Sequence, residues 1–250
     1  MLRKVIAAKW LVGFWLLLSA VTGAAYYLYN KPVFVRYPGF GIDIPQNYRV
    51  HGIDVSKYQS AIDWTEVKAM KIKNINIDFC FIKATEGTES VDHRFRRNWS
   101  LSKENGVIRG AYHFFNPSKS GKEQAANFIK KVTLEKGDLP PVLDIEQING
   151  TSIINLQQSV NDFLMMMEAA YKVKPIIYTN VSFYESYLAG KFDDYPLWVA
   201  HYLIKDKPRI GRDWMFWQHN ESGHVNGIDA YVDFNVFNGS EIAFRKLLLK

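Results

Sequence analysis

Pro140-Pro141-Val142-Leu143-Asp144-Ile145-Glu146 is an apolar run closed by two carboxylates at i and i+2. Side chains on a strand alternate faces, so both acids point the same way, into whatever the sheet encloses. Burying an unpaired carboxylate is costly, and two side by side cannot both ionise easily. The familiar use of such an arrangement is an acid working beside a carboxylate on a glycosidic bond. The alternative is a strand whose tip merely reaches solvent.

Outward from this strand the chain alternates β-rich runs with helical ones. Upstream, strands are expected over 51–56, 79–84 and 108–114, with helices over 64–70, 95–104 and 120–132. Ser120-Gly121-Lys122-Glu123 has the form of a capping box opening the last of these helices. Downstream, 153–171 carries the longest helical pattern, 175–179 a strand and 183–188 a short helix. Beyond that the helices fade, and 197–201, 215–219 and 232–236 read as strands joined by loops. Repeated βα units call for a parallel sheet. The expected fold is α/β: an irregular, TIM-like β/α barrel with helices depleted in its last third. A doubly wound open sheet is the rival, although no GxGxxG or P-loop follows any strand.

The first thirty residues stand apart. Arg3, Lys4 and Lys9 precede a stretch from Trp10 to Tyr29 without a charged residue, close to the roughly 20 residues that cross a bilayer as a helix. The basic flank keeps the N-terminus in the cytoplasm and sends the remainder outward. A cleaved signal peptide is the rival, with Thr22-Gly23-Ala24 as a small-residue site. Tyr26, Tyr27 and Tyr29 resemble an interfacial belt and favour an uncleaved anchor in the inner (cytoplasmic) membrane; cleavage would leave a secreted or periplasmic protein. The expected division is an anchor or signal segment over 1–30, a linker over 31–48 rich in Pro and Gly, and a barrel domain over 49–250. Formal net charge is +6 for the whole chain. The first thirty residues hold three of the basic groups and no acid, so the exported part carries +3. Such a balance suits an anionic polymer, while no basic helix or Lys/Arg run supports nucleic-acid binding. Cys80 is the sole cysteine, within the apolar Phe79-Cys80-Phe81-Ile82, and reads as a packed core thiol.

Asp54, Glu86, His113, Asp144, Glu146, Thr179 and His201 fall at or just beyond the C-terminal ends of expected strands, the rim where α/β barrels build their sites. Tyr112, Tyr178, Trp198, Tyr202 and Trp217 lie among them, and aromatic planes pack well on the apolar faces of sugar rings. No HExxH, Cys pair or His pair at ligand spacing occurs, so neither a metal nor another cofactor is expected. A hard-oxygen site for Mg²⁺ or Ca²⁺ on the four acids is the weaker reading. Ser56 and His113 lack a GxSxG elbow or an orienting acid, which argues against a Ser–His couple.

His51-Gly-Ile-Asp54-Val-Ser56, Phe81-Ile-Lys83-Ala-Thr85-Glu86-Gly87, Gly110-Ala-Tyr112-His113-Phe114 and Leu143-Asp144-Ile-Glu146 occur in the order found in family 25 glycoside hydrolases. So do Ile177-Tyr178-Thr179, Leu197-Trp198-Val-Ala-His201-Tyr202, Phe216-Trp217-Gln218 and Val232-Asp233-Phe-Asn235. The chain thus resembles the Chalaropsis-type lysozymes over about residues 49–240. The resemblance implies an irregular β/α barrel that hydrolyses the β-1,4 bond between N-acetylmuramic acid and N-acetylglucosamine in peptidoglycan. It casts Glu146 as general acid and Asp144 as the carboxylate that orients and charge-stabilises the substrate's N-acetyl group or acts directly. Asp54 and Asp233 match the other two acids, which meet if the first and last strands are neighbours. Tyr112, Tyr178, Glu86, Trp198, Trp217 and Gln218 are expected on the substrate side. The family leans towards retention of configuration. The alternatives are a non-catalytic glycan-binding barrel that tethers wall-active partners and, more weakly, a chitin-like substrate.

Overall fold

The computed structural model describes residues 2–30, 33–204 and 206–250; Met1, Lys205 and the first two residues of the expected linker, Lys31 and Pro32, lie outside the described residues. The eight main strands are β1 (His51–Val55), β2 (Phe79–Glu86), β3 (Ile108–Phe114), β4 (Val142–Asp144), β5 (Ile176–Asn180), β6 (Leu197–Ala200), β7 (Phe216–Val225) and β8 (Ile228–Phe237). Each of β1 to β6 pairs in parallel with the next, β6 with β7 likewise, and β8 closes the circle antiparallel to both β7 and β1. The result is a closed barrel with a single antiparallel stave. Helices α2 (Trp64–Ala69), α3 (Phe95–Glu104), α4 (Gly121–Lys131) and α5 (Ile153–Tyr171) follow β1 to β4, and a short helical segment, 181–188, follows β5. Side-chain caps start three of the four: Asp63 accepts from Thr65 and Glu66, Ser120 from Glu123, and Ser152 from Asn155, satisfying amides a helix start leaves orphaned.

Parity decides which residues face inward. Phe79, Phe81, Val142, Ile176, Tyr178, Trp198, Phe216 and Phe237 form the interior cluster, whereas Ile53, Cys80, Ile82, Leu143, Ile145, Ile177 and Val199 pack outward beneath the helices. The floor of the barrel is aromatic: Phe79 and Phe216 lie 5.2 Å apart, and Phe244 of α6 (Glu241–Leu247) plugs the N-terminal end against Phe79 and Phe237. Gly52 and Gly110 make room for it, since a Cβ at either would come within 2.6 Å of a phenylalanine ring. A close-packed interior has no slack to absorb such an atom.

Three features depart from expectation. Residues 34–45, expected as linker, form an antiparallel hairpin of Phe34–Tyr37 and Ile42–Pro45. Tyr37, Phe40, Ile42 and Ile44 are buried, and Phe40 packs 5.2 Å from Phe234 on the outside of β8. The Pro and Gly density that reads as linker is turn chemistry, with Gly41 at φ +70 closing the hairpin. Second, the expected short strands at 215–219 and 232–236 are the ends of two ten-residue strands joined at Asn226-Gly227, with Gly227 at φ +83. Asn-Gly is a strong hairpin signal. Third, α6 follows the last strand, capped by Ser240. At the other end, α1 (Leu2–Asn30) contains a 21-residue segment, Lys9–Tyr29, long and apolar enough to cross a membrane and unburied by the rest of the chain.

Candidate active site

The C-terminal ends of the strands open on a cavity of about 360 Å³. Asp144 and Glu146 both line it, as their i, i+2 spacing requires, while Ile145 between them is buried outside the barrel. Asp144 sits deep and leaves its Oδ1 without a protein partner; Glu146 is half-buried at the opening. Burial, then the neighbouring Glu146, pushes Asp144 well above the usual carboxylate range. Burial also raises Glu146. The two are hydrogen-bonded to one another, so the pair holds a proton where isolated carboxyls would have lost theirs.

A second pair stands opposite. Asp54 on β1 and Asp233 on β8 are direct partners across the antiparallel ladder, which puts both side chains on the interior face. Burial, then the Asp233 charge, raises Asp54 well above its ordinary value, and burial lifts Asp233 to about 6. Two amides steady this pair: Gln218 Nε2 and Asn235 Nδ2 donate to Asp54 Oδ2 at 2.8 and 2.7 Å. Gln218 Oε1 in turn accepts from the Tyr178 hydroxyl at 2.6 Å and from the Tyr202 hydroxyl. Asn235 Oδ1 accepts from the Trp198 indole at 2.7 Å. Trp198 lies between Phe81, stacked at 4.4 Å, and Tyr178 at 4.3 Å. Acids, amides and aromatics therefore form one locked network, with Gln218 turned towards protein partners.

Of the expected site residues, Asp54, Asp144, Glu146, Asp233, Tyr112, Tyr178, Trp198 and Gln218 line the cavity. Trp217 does not. It alternates with the inward Phe216 and Gln218, is fully buried outside the barrel against Phe34, Tyr48 and Trp214, and donates to the His201 carbonyl at 2.9 Å. Glu86 is also outside the lining; it pairs with Lys83, whose ammonium lies 2.7 Å from its Oε2 and 4.5 Å from the centre of the Phe114 ring. Lys83 is the cation of the cavity, and its charge draws both Asp144 and Glu146 downward, against burial. His113 faces outward, bonded to Thr85 at 2.7 Å and Gln124 at 3.1 Å, with its ring tilted against Phe163 at 5.0 Å, and burial lowers it to about 4. Thr179 is buried outside the cavity lining, and His201 takes the Arg209 amide on its Nδ1. Tyr202, expected among the rim aromatics, lines it too, and Val55, Ser56, Tyr58, Gln59, Lys83, Phe114 and Glu221 complete the lining beyond the expected set. For Lys83 a signal existed, its inward parity with Phe79 and Phe81.

A closed β/α barrel with paired carboxyls above an aromatic floor, at the rim such barrels use for chemistry, is the architecture that a glycoside hydrolase requires. The chain belongs to glycosyl hydrolases family 25, whose family model matches residues 53–228. Lysozyme M1 of Streptomyces globisporus is 36% identical over 206 residues, 76% of this chain and 68% of that one. The YegX protein of Escherichia coli (strain K12) is 49% identical over 201 residues, 80% of this chain and 74% of that one. Among solved structures, a family 25 glycosyl hydrolase from Bacillus anthracis superposes with a TM-score of 0.76 at 32% identity, covering 86% of this chain and all of that one. This chain is accordingly a glycoside hydrolase of the lysozyme family.

Proposed function

We propose that this protein is an exported, membrane-held muramidase that cuts the β-1,4 bond between N-acetylmuramic acid and N-acetylglucosamine in peptidoglycan. The observation that carries the proposal is the convergence of two carboxyl pairs, Asp144 with Glu146 and Asp54 with Asp233, in one cavity. Glu146 is the general acid, because it is the member of its pair that reaches the opening, where a leaving oxygen arrives. Burial raises its carboxyl above the ordinary range, the direction a general acid needs. Asp144, deeper and with one oxygen free, faces the substrate's acetamido group and steadies the charge that develops at the anomeric carbon. Asp54 and Asp233 supply the acidic wall opposite. Tyr112, Tyr178 and Trp198 give the sugar an aromatic bed.

The amino-terminal segment 1–30 acts as an uncleaved anchor in the inner membrane, and the body beginning with the hairpin at Phe34 works outside the cytoplasm. The site also fits hydrolysis with retention, the acetamido group attacking and water completing the reaction. Following the product by NMR tests this: an initial β-anomer is expected, and an initial α-anomer overturns it. Glu146→Gln tests the acid itself. Turnover is expected to fall by about 10²–10⁴-fold while glycan affinity persists. Surviving turnover would displace Glu146 from the role, and a wild-type chain that binds glycan without cutting it would make the barrel a tether.

A further inference from the structure

We propose that the described residues joining β6 to β7, 201–204 and 206–212, dock on the anionic phospholipid headgroups of the membrane that holds α1, with Leu203 inserted among them. The proposal rests on α1 being an uncleaved anchor. Four residues separate Tyr29, the end of the apolar span, from Phe34, the first residue of the hairpin. Even fully extended, that connection reaches less than about 20 Å. The hairpin is fixed to the barrel: Phe34 meets Trp217 at 5.9 Å, and the Phe40 carbonyl accepts from the His224 amide at 2.9 Å. The body therefore stays within that reach of the leaflet.

One face is singled out by the helix end. The Tyr27 hydroxyl donates to Asp206 Oδ2 at 2.9 Å, so the last turns of the span touch the 201–212 segment. Tyr26, Tyr27 and Tyr29 are exposed there, the residue type that settles at headgroup depth. Within the segment, Leu203 is 98% exposed and held at φ +58. A leucine kept in the left-handed region with its whole side chain in water costs free energy twice, in backbone strain and in exposed apolar surface. Lipid removes the second cost. Lys207 and Arg209 are exposed beside it and complement an anionic surface. Both sides of it are tied to the barrel: Tyr202 to Gln218, the Arg209 amide to His201, and Arg212 to the Tyr184 hydroxyl and the Tyr195 carbonyl. Since Tyr202 lines the catalytic cavity, docking would place the cavity mouth beside the leaflet and direct cleavage to glycan next to the membrane.

The test uses the full chain in phosphatidylcholine vesicles with and without phosphatidylglycerol. Leu203→Cys carries an environment-sensitive fluorophore, and Ile242→Cys, exposed on α6 at the opposite end of the barrel, is the control. The one native thiol, Cys80, is buried and does not compete for the label. Quenching of the label at 203 by nitroxide lipids, strongest with phosphatidylglycerol and absent at 242, is expected. Lys207→Gln and Arg209→Gln should weaken docking by about fivefold per cation removed. A vesicle-bound chain whose label at 203 is reached only by aqueous iodide overturns the docking and leaves the anchor standing. A mature chain that begins beyond Ala24 overturns the anchor, and the docking with it.

Discussion

At the N-terminal end of the barrel, Arg109 and Asp138 meet as a buried pair of opposite charges, bonded twice at 2.8 and 3.1 Å, with the guanidinium 3.9 Å from the centre of the Trp99 ring. At the C-terminal end, Asp54, Asp144, Glu146 and Asp233 crowd one cavity, with Lys83 as the single cation among its described lining residues. Both ends are desolvated, so the difference lies in how charge is balanced. Below, each charge has a partner in ideal geometry, which offsets desolvation. Above, like charges offset desolvation only by keeping protons, and a group that keeps its proton near neutrality is able to give it away. The lower end stabilises the barrel; the upper end, under the proposed function, gives up stability for chemistry.

Substitutions at each end test that contrast, and the largest effect belongs to the upper one. Asp144→Asn should lower kcat by about 10²–10³-fold, with glycan affinity largely kept, because it removes the inner carboxylate without changing shape. Steady-state kinetics beside a glycan pull-down checks this. Asp138→Asn, below, should leave the buried Arg109 with only the half-exposed Glu135, 3.6 Å away, as counter-charge and destabilise the fold by about 3 kcal/mol, with kcat per folded molecule unchanged. Urea melts read the loss. Were kcat to fall as well, the two ends would not be independent.

Asp233→Asn should do the opposite of Asp138→Asn. A carboxyl whose folded value is about 6 against an ordinary 3.8 makes the native state lose stability as pH rises through that window. Removing it should raise stability by about 1–3 kcal/mol at pH 7, give no gain below pH 4, and cost most of the activity. The comparison must be made against wild type at each pH. His51 and His113, lowered by burial to about 4, and His219, lowered to about 3, destabilise the native state in the other direction, as pH falls below their ordinary 6.5. A stabilisation independent of pH would mean that a buried, titrating charge is not what strains the upper end. The smallest effect is expected at Trp217, outside both. Trp217→Phe should cost about 1–2 kcal/mol through the unpaired His201 carbonyl and leave kcat within about twofold.

How far sequence reaches differs along the chain for physical reasons. The Asp144–Glu146 pair was legible because strand parity is rigid once a strand is granted. The meeting of Asp54 with Asp233 followed from closure once the family resemblance had singled out Asp233. Parity also separates Trp217 from Gln218, since neighbours on a strand cannot both face inward, and the structure turns Gln218 in. Glu86 was beyond reach. A register shift between Lys83 and Thr85 inserts an extra residue in β2, so the strand end cannot be counted by twos. The 34–45 hairpin was concealed because turn prolines and glycines have the composition of a linker; what distinguishes them is the Ile42-Asp43-Ile44 alternation and the core that awaits it.

The account stands most directly on a digest of purified peptidoglycan by the full chain and by Glu146→Gln, with mass spectrometry of the borohydride-reduced products. Reduced N-acetylmuramic ends from the wild type, vanishing with Glu146→Gln, are the predicted result. Reduced N-acetylglucosamine ends, or muramic ends that persist without the Glu146 carboxyl, would contradict it.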